Sequence, residues 1–396
     1  MGALQNDVLN CFDDLFLDFD SVAAKLNIHV NQLYNLKKTG KIGFKTLLKV
    51  AQLVSGADYH RHMRDWCLKV TTTESIKHAF EYAAIKRDTG LLKELLQVHR
   101  ADQSLLYYTQ FYQVIYNYMT NKVNPDELKN CVDILKIGKD KELRILKSIF
   151  KCYSLYYERK FMTILEVAPE IEKDISELGE TRKGFFMECY LMRLSEILAP
   201  AYLYLKDLKR ARRYAEIIIN SNICSKTNSD AYYYMGVSYI LEDRGSCLRF
   251  LRNSLAEAFK TGDTSIISEA ENTLKMFEGF FTYKSSGIIP SGLPHAEDML
   301  LKDMNPVLRY FGLVGSGSVK ELISAYSVYT QEFNFLFQSI VIEDLVKAGL
   351  DPIFANPIKD TQLTYKGDVY FEEDFVRSFT FWSTDRGVGS AEGQLS

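Results

Sequence analysis

Proline is scarce in this sequence, eight in 396 residues, so little interrupts long helices. No stretch approaches the roughly 20 consecutive apolar residues that a membrane-spanning helix needs, and the N-terminus lacks the basic, apolar and small-residue order of a secretion signal. The chain is therefore expected in the cytoplasm. Its seven cysteines, at 11, 67, 131, 152, 189, 224 and 247, form no CxxC pair and read as reduced core thiols, neither a disulfide framework nor a zinc site. His60 and His62, with Cys67 in "YHRHMRDWC", are the nearest approach to metal-ligand spacing and have no second cluster to complete them. GxSxG, HExxH and GxxxxGK[ST] are all absent. His78 and His99 sit in helical patterns and read as packing residues. The expectation is a protein without catalytic activity, metal or cofactor. What remains, 47% hydrophobic and 25% charged residues, suits a globular chain with ample core.

The distribution of charge is uneven. The formal net charge is -3, yet Ser21 to Lys49 holds Lys25, Lys37, Lys38, Lys41, Lys45 and Lys49 and no acid. A local basic field of this kind faces an anion. Ser21 is positioned to cap a short helix through Leu26, Asn27-Ile28-His29-Val30 reads as a turn, and Asn31 as the cap of a second helix from Gln32 to Lys37. In that helix Leu33 and Leu36 face inward, leaving Gln32, Tyr34, Asn35 and Lys37 outside. This is a helix-turn-helix order, whose second helix can enter the major groove, amides toward base edges and lysines toward phosphates. Asn31, Gln32, Tyr34, Asn35, Lys37, Lys38 and Lys41 are the candidate DNA-binding residues. A further amphipathic helix, Phe44 to Val54, closes the small core with Phe44, Leu47, Leu48, Ala51 and Leu53. The alternative is a pair of ordinary helices with solvated lysines.

From Ala57 the pattern becomes long amphipathic helices with short turns. A helix starts near Thr73, and Asp88 to Gly90 separates it from the next. "AYLYLKDLKRARRYAEIIIN" and "GVSYILEDRGSCLRFLRNSL" are self-similar: Ala201 and Gly236, and Tyr204 and Tyr239, are 35 apart, while Ala211 and Cys247 are 36 apart. A small residue, an aromatic three on and a small residue in the partner helix form a tetratricopeptide pattern, the small positions letting two helices touch. Weaker copies lie at Phe150 to Ile171, with Tyr156 and Tyr157 before the turn and Pro169 after the second helix, and at "ISEAENTLKMFEGFF". Generic α-α packing stays open as an alternative. "YKSSGIIPSGLP" reads as a loop. "GLVGSGSVKE" reads as a glycine-rich turn that is not a phosphate loop, since no strand precedes it and no GK[ST] follows. The final residues, from Thr361, alternate weakly and then lose all pattern.

The fold class is all-α: an N-terminal helix-turn-helix followed by a degenerate tetratricopeptide-like right-handed α-solenoid. Residues 1–56 are expected to form the DNA-binding domain, 57–360 the peptide-sensing domain, and 361–396 a C-terminal extension, partly disordered. Taking Gly236 and Ala201 as contact positions puts Ser195, Tyr202, Leu205, Asp230, Tyr233 and Val237 on the concave face, with Glu271 one period further. Ser195, Tyr202, Asp230, Tyr233 and Glu271 are the candidate peptide-binding residues, the acids for an amine or guanidinium and the tyrosines for apolar parts.

The helix-turn-helix, the "MRDWCLKV" segment running into "FEYAAIKRDTGLLKELL", the degenerate repeats and the closing "FQSIVIEDLVKAGLDPIFA" together resemble the arbitrium receptors of temperate Bacillus phages, the AimR family. The resemblance spans Val22 to Ala355. It implies a homodimeric transcription factor that binds a short phage-encoded peptide and double-stranded operator DNA, an inverted repeat, and so shifts the choice between lysis and lysogeny. Asn31, Gln32, Asn35, Lys37 and Lys38 occupy the recognition-helix positions. Around the repeats the family uses asparagine and arginine where Ala201 and Val237 stand here. The alternatives are a tetratricopeptide interaction scaffold, or a peptide-sensing inhibitor of a protein partner that does not bind DNA.

Overall fold

The computed structural model describes residues 2–179, 183–287, 306–314 and 317–351, and every regular element among them is helical. The fold is all-α, a helix-turn-helix head followed by tetratricopeptide-like helix pairs. The described residues fall into two compact units, one containing residues to Lys147 with Glu177–Cys189, the other Ser148–Ser176 with residues from Tyr190 onward. The extension from Thr361 lies outside the described residues.

The first unit begins with α1 (Ala3–Asp14), α2 (Phe19–Leu26), α3 (Asn31–Thr39) and α4 (Phe44–Ser55). Val8, Phe12, Leu33, Leu36, Leu47, Val50 and Ala51 make their shared core. Phe44 and Leu48 are buried as expected, whereas Leu53 is only half-buried and Val50 takes the inward position. The cap of α2 is Asp18, which accepts the Ser21 N–H at 2.8 Å; Ser21 itself lies inside the helix. The Ser21 hydroxyl, instead of accepting an N–H further along the helix, donates to the same carboxylate at 2.6 Å. Asn31 is likewise the first helical residue of α3 and not its cap; its N–H donates to His29 Nδ1 at 3.2 Å.

Next come α5 (Tyr59–Cys67), α6 (Thr73–Ile85), α7 (Thr89–Val98), α8 (Leu106–Met119) and α9 (Pro125–Asp133). Ile76, Ala79, Phe80, Tyr82, Ala83 and Ile85 are all buried, so α6 is enclosed around most of its circumference. Its central acid, Glu81, is fully buried and accepts the Tyr112 hydroxyl at 2.7 Å. Thr72 caps α6 and Asp88 caps α7, so the break falls before Asp88 and Gly90 is helical.

Three helices, α10 (Lys141–Tyr157), α11 (Phe161–Gly179) and α12 (Gly184–Tyr204), contribute residues to both units. Pro169 sits inside α11, which continues to Gly179 instead of ending before it. The second unit continues with α13 (Leu208–Ser221), α14 (Ser225–Ser238), α15 (Arg244–Thr261), α16 (Thr264–Ser286), α17 (Pro306–Val314), α18 (Val319–Gln331) and α19 (Phe335–Lys347). Most of these starts carry a side-chain cap: Asp207, Asp243, Asp263, Ser318 and Asn334 each accept a backbone N–H of the following turn. Several turns place ordinary residues in the left-handed region, among them Arg159 at φ 57° and Lys206 at φ 63°. The "YKSSGIIPSGLP" segment is helical through Ser286 and ends at Gly287, with φ 73°; residues 288–305 lie outside the description. Of the glycine-rich turn, Gly317 has φ 78° and Ser318 forms a capping box with Glu321, while 315–316 are outside it too.

The small positions behave as their spacing predicts. Ala201, Ala211, Gly236 and Cys247 are all buried, and α14 touches α15 at Gly236. Both tyrosines pack backward along the array: Tyr204 stacks on Phe161 of α11 at 5.5 Å, and Tyr239 lies 3.7 Å beneath the Arg212 guanidinium of α13.

Candidate functional sites

In the head, Asn27 ends α2 in the left-handed conformation at φ 49°, and the Ile28 N–H reaches back to Ala23 O at 3.0 Å. Asparagine thus supplies what a glycine would in this turn. With Leu33 and Leu36 sunk in the core, α3 exposes Asn31, Gln32, Tyr34, Asn35, Lys37 and Lys38; Lys41, just past its end, is exposed as well. Gln32 is partly committed, accepting the Thr46 hydroxyl at 2.6 Å. Apart from Lys25, exposed on α2, the lysines divide into two groups. Lys45 pairs with Glu188 of α12, and Lys49 donates to Leu26 O at 3.1 Å, closing the end of α2. Lys37, Lys38 and Lys41 project outward, Lys37 with its ammonium 5.7 Å from the Phe19 ring.

The head also carries a feature that the lysine pattern hides. Asp13, Asp14, Asp18 and Asp20 surround Leu15 and Phe16 on the α1–α2 turn, all six exposed, Phe16 at 96%.

In the second unit the first helices of successive pairs bring tyrosines together. Tyr156 of α10, Tyr204 of α12, and Tyr233 and Tyr234 of α14 form one recessed cluster, each keeping part of its surface open. Burial pushes all four phenols up, and the Tyr156 and Tyr204 hydroxyls interact with one another. Tyr233 touches Tyr234 at 5.5 Å and Phe277 of α16 at 6.4 Å. At one side Asp230 and Glu269 act on Tyr233, Asp230 itself held by Lys226 at 2.6 Å. At the other, Arg159, Arg309 and Glu332 act on Tyr204.

Among the candidates for this face, Tyr233 and Asp230 join the cluster. Ser195 and Tyr202 do not: Ser195 is sealed in the core with its hydroxyl donated to Leu191 O at 2.8 Å, and Tyr202 is buried against Tyr214 of α13 at 5.6 Å. Burial lifts the Tyr202 phenol to about 12. Leu205 and Val237 are buried too. Two residues on a helix are turned by roughly 200°, so Tyr204, read only as an inter-pair filler, takes the place expected of Tyr202. Glu271 is half-buried on α16, but Glu269 is the acid that acts on Tyr233. The sequence signal for Tyr204 was present, in its exact alignment with Tyr239.

The histidines have structural partners. His60 Nδ1 meets the Tyr82 hydroxyl at 2.8 Å and its Nε2 lies 3.1 Å from Asp88, while His62 packs on Trp66. Burial opposes ionisation of Asp88, but hydrogen bonds from His60 and the Leu91 N–H, with the Arg64 charge, hold its carboxyl below the usual range. His78 packs among Phe44, Phe185 and Phe186. Among the described residues no group of three or more His, Cys, Asp or Glu is placed to hold a metal ion, and no helix is long and apolar enough to cross a membrane.

The elements define an all-α protein, a helix-turn-helix order followed in the chain by tetratricopeptide-like helix pairs. The chain belongs to the AimR transcriptional regulator-like family, whose model matches residues 59–287. A solved AimR structure, the selenomethionine form of phAimR, is similar with a TM-score of 0.61 at 14% identity, over 90% of this chain and 100% of that one; at that identity the likeness shows the fold. An uncharacterized Bacillus anthracis protein is 26% identical over 124 residues, 30% of this chain. The chain spans 45% of the length of that curated relative.

Proposed function

We propose that this chain is a peptide-responsive, sequence-specific DNA-binding regulator of the phage lysis-lysogeny decision, acting as a cytoplasmic homodimer. The observation that carries the reading is the α3 face, where amide, phenol and ammonium groups stand exposed over a core of Leu33 and Leu36. Asn31, Gln32, Tyr34 and Asn35 read base edges, and Lys37, Lys38 and Lys41 neutralise phosphates. Two heads on a dimer match the two halves of an inverted repeat. A short peptide against Tyr156, Tyr204, Tyr233 and Tyr234, flanked by Asp230 and Glu269, favours one conformation of the repeat domain and so alters operator binding. Selection of bound fragments from genomic DNA by the purified protein, repeated with Asn35→Ala and Lys37→Ala, tests it. One enriched palindrome, lost in the variants, is the expected result; binding indifferent to sequence at every salt concentration would end the reading.

A second reading, capture of a protein partner without DNA, draws on the acidic rim around Leu15 and Phe16. Asp18 and Asp20 stand at the N-terminus of α2, an end that otherwise favours anions, and they repel phosphate there. If it holds, Lys37→Ala leaves partner capture intact.

A further inference from the structure

The second unit contains a polar cluster that its own packing leaves unsatisfied. Arg309 of α17 pairs closely with Glu332, at the α18–α19 turn. Arg159, in the turn between α10 and α11, approaches the same carboxylate at 3.6 Å, with its side chain 38% exposed. That separation is beyond a good hydrogen bond. Arg309 Nε, the hydroxyl of the fully buried Tyr329 and Glu332 Oε2 have no hydrogen-bond partner, and Tyr329 lies in the field of Arg309 and Glu332. Buried polar atoms left unpaired are costly, and here two donors stand against one acceptor, so the cluster is short of an acceptor. The charges agree with that: two guanidinium groups share one carboxylate, which leaves an excess of one positive charge.

Tyr204, acted on by Arg159, Arg309 and Glu332, continues through Tyr156 to Tyr234 and Tyr233, beside Asp230 and Glu269. The aromatic wall therefore joins a basic end to an acidic one. We propose that Arg159, Arg309 and Tyr329 bind a carboxylate of the peptide, so that the peptide lies with this carboxylate at the arginines and its cationic groups toward Asp230 and Glu269. This rests on the peptide-receptor reading above. Arg159 exchanges its long contact for a planar two-point grip on the ligand, while Arg309 keeps Glu332 and offers Nε. The carboxylate is either the peptide's C-terminus or an acidic side chain.

The test uses the full chain and two mixtures of short random synthetic peptides, one with free C-terminal acids and one with C-terminal amides, the retained peptides being read by mass spectrometry. Retention of free acids over amides, falling about tenfold or more in Arg159→Gln, supports the proposal with the C-terminus as source. Enrichment of Asp or Glu within the amidated mixture, lost in the same variant, supports it with a side chain as source. Arg159 is partly exposed, so Arg159→Gln is expected to fold, which a thermal melt checks; Tyr329→Phe, which removes one donor, shifts the same preference in the same direction. Peptides retained without regard to any carboxylate overturn this proposal and leave the receptor reading standing. No peptide retained from either mixture overturns both.

Discussion

A methyl group added at Gly236 in α14 would lie 3.0 Å from the carbonyl oxygen of Cys247 in α15 and 3.0 Å from Leu251 Cγ. The backbone oxygen cannot step aside as a side-chain tip can. Replacing a helical glycine by alanine ordinarily gains about 1 kcal/mol from helix propensity. Forcing a close-packed pair apart costs roughly 1–3 kcal/mol. Gly236→Ala is therefore expected to lower stability, and Gly236→Val to lower it further, measured by denaturant midpoint at unchanged m-value.

That contact explains how far the repeat was legible. Small-aromatic-small spacing marks where helices must touch, and touching is steric, so Ala201, Gly236, Ala211 and Cys247 could be placed from sequence. Which neighbours then face a concavity depends on helix rotation, and an error of two residues turns a side chain by about 200°. Hence Tyr202 was expected where Tyr204 stands. The arginine cluster was illegible for another reason: Arg159, Arg309 and Glu332 are brought together across long stretches of chain by tertiary packing, which no local period encodes.

In the head, the turn that lacks glycine is solved by Asn27 at φ 49°. An L-residue pays roughly 1–2 kcal/mol there, least for asparagine or glycine. Asn27→Gly is expected to be neutral or slightly stabilising, and Asn27→Val to cost about 1–2 kcal/mol. Thermal melts of the two variants check this; equal melting points would refute the left-handed assignment.

The lysines of the same segment are not equivalent. Glu188 is only 4% exposed and pairs with Lys45, whose side chain is 44% exposed. Removing one partner of a fully buried pair costs about 3–5 kcal/mol, and solvent around Lys45 reduces this to roughly 1–2 kcal/mol. Lys45→Ala should lower the melting temperature, whereas Lys38→Ala, at an exposed position, should leave it within error while changing DNA binding.

His78 ties stability to pH. Burial, then the charges of Lys77 and Lys183, push its pKa down from 6.5 to about 4, against a smaller upward contribution from Glu74. A histidine held neutral in the folded state gains a proton more readily when unfolded. Its contribution is thus fully present above about pH 6.5 and is lost as pH falls toward 4. Between pH 7 and pH 5 this one group is expected to remove about 2 kcal/mol. Urea unfolding at the two pH values measures the loss, and His78→Phe, which removes the titrating ring from its phenylalanine surroundings, should flatten that part of the profile.

The proposed docking of α3 assigns its lysines to phosphates and its amides to bases, and salt dependence tells the two apart. Each phosphate neutralised releases counterions, so log K falls with log salt at a slope near -0.9 per contact. Lys37→Ala, Lys38→Ala and Lys41→Ala should each make the slope shallower by about one and weaken binding to all sequences alike. Asn35→Ala should leave the slope unchanged and cost roughly 1–3 kcal/mol on the preferred site alone. Asp18 caps α2 through Ser21, so Asp18→Asn retains the cap while removing a negative charge from the end that faces phosphate in this docking. Its affinity for any DNA should rise, most at low salt, and an unchanged affinity would place the α1–α2 turn away from the duplex, free to meet a protein.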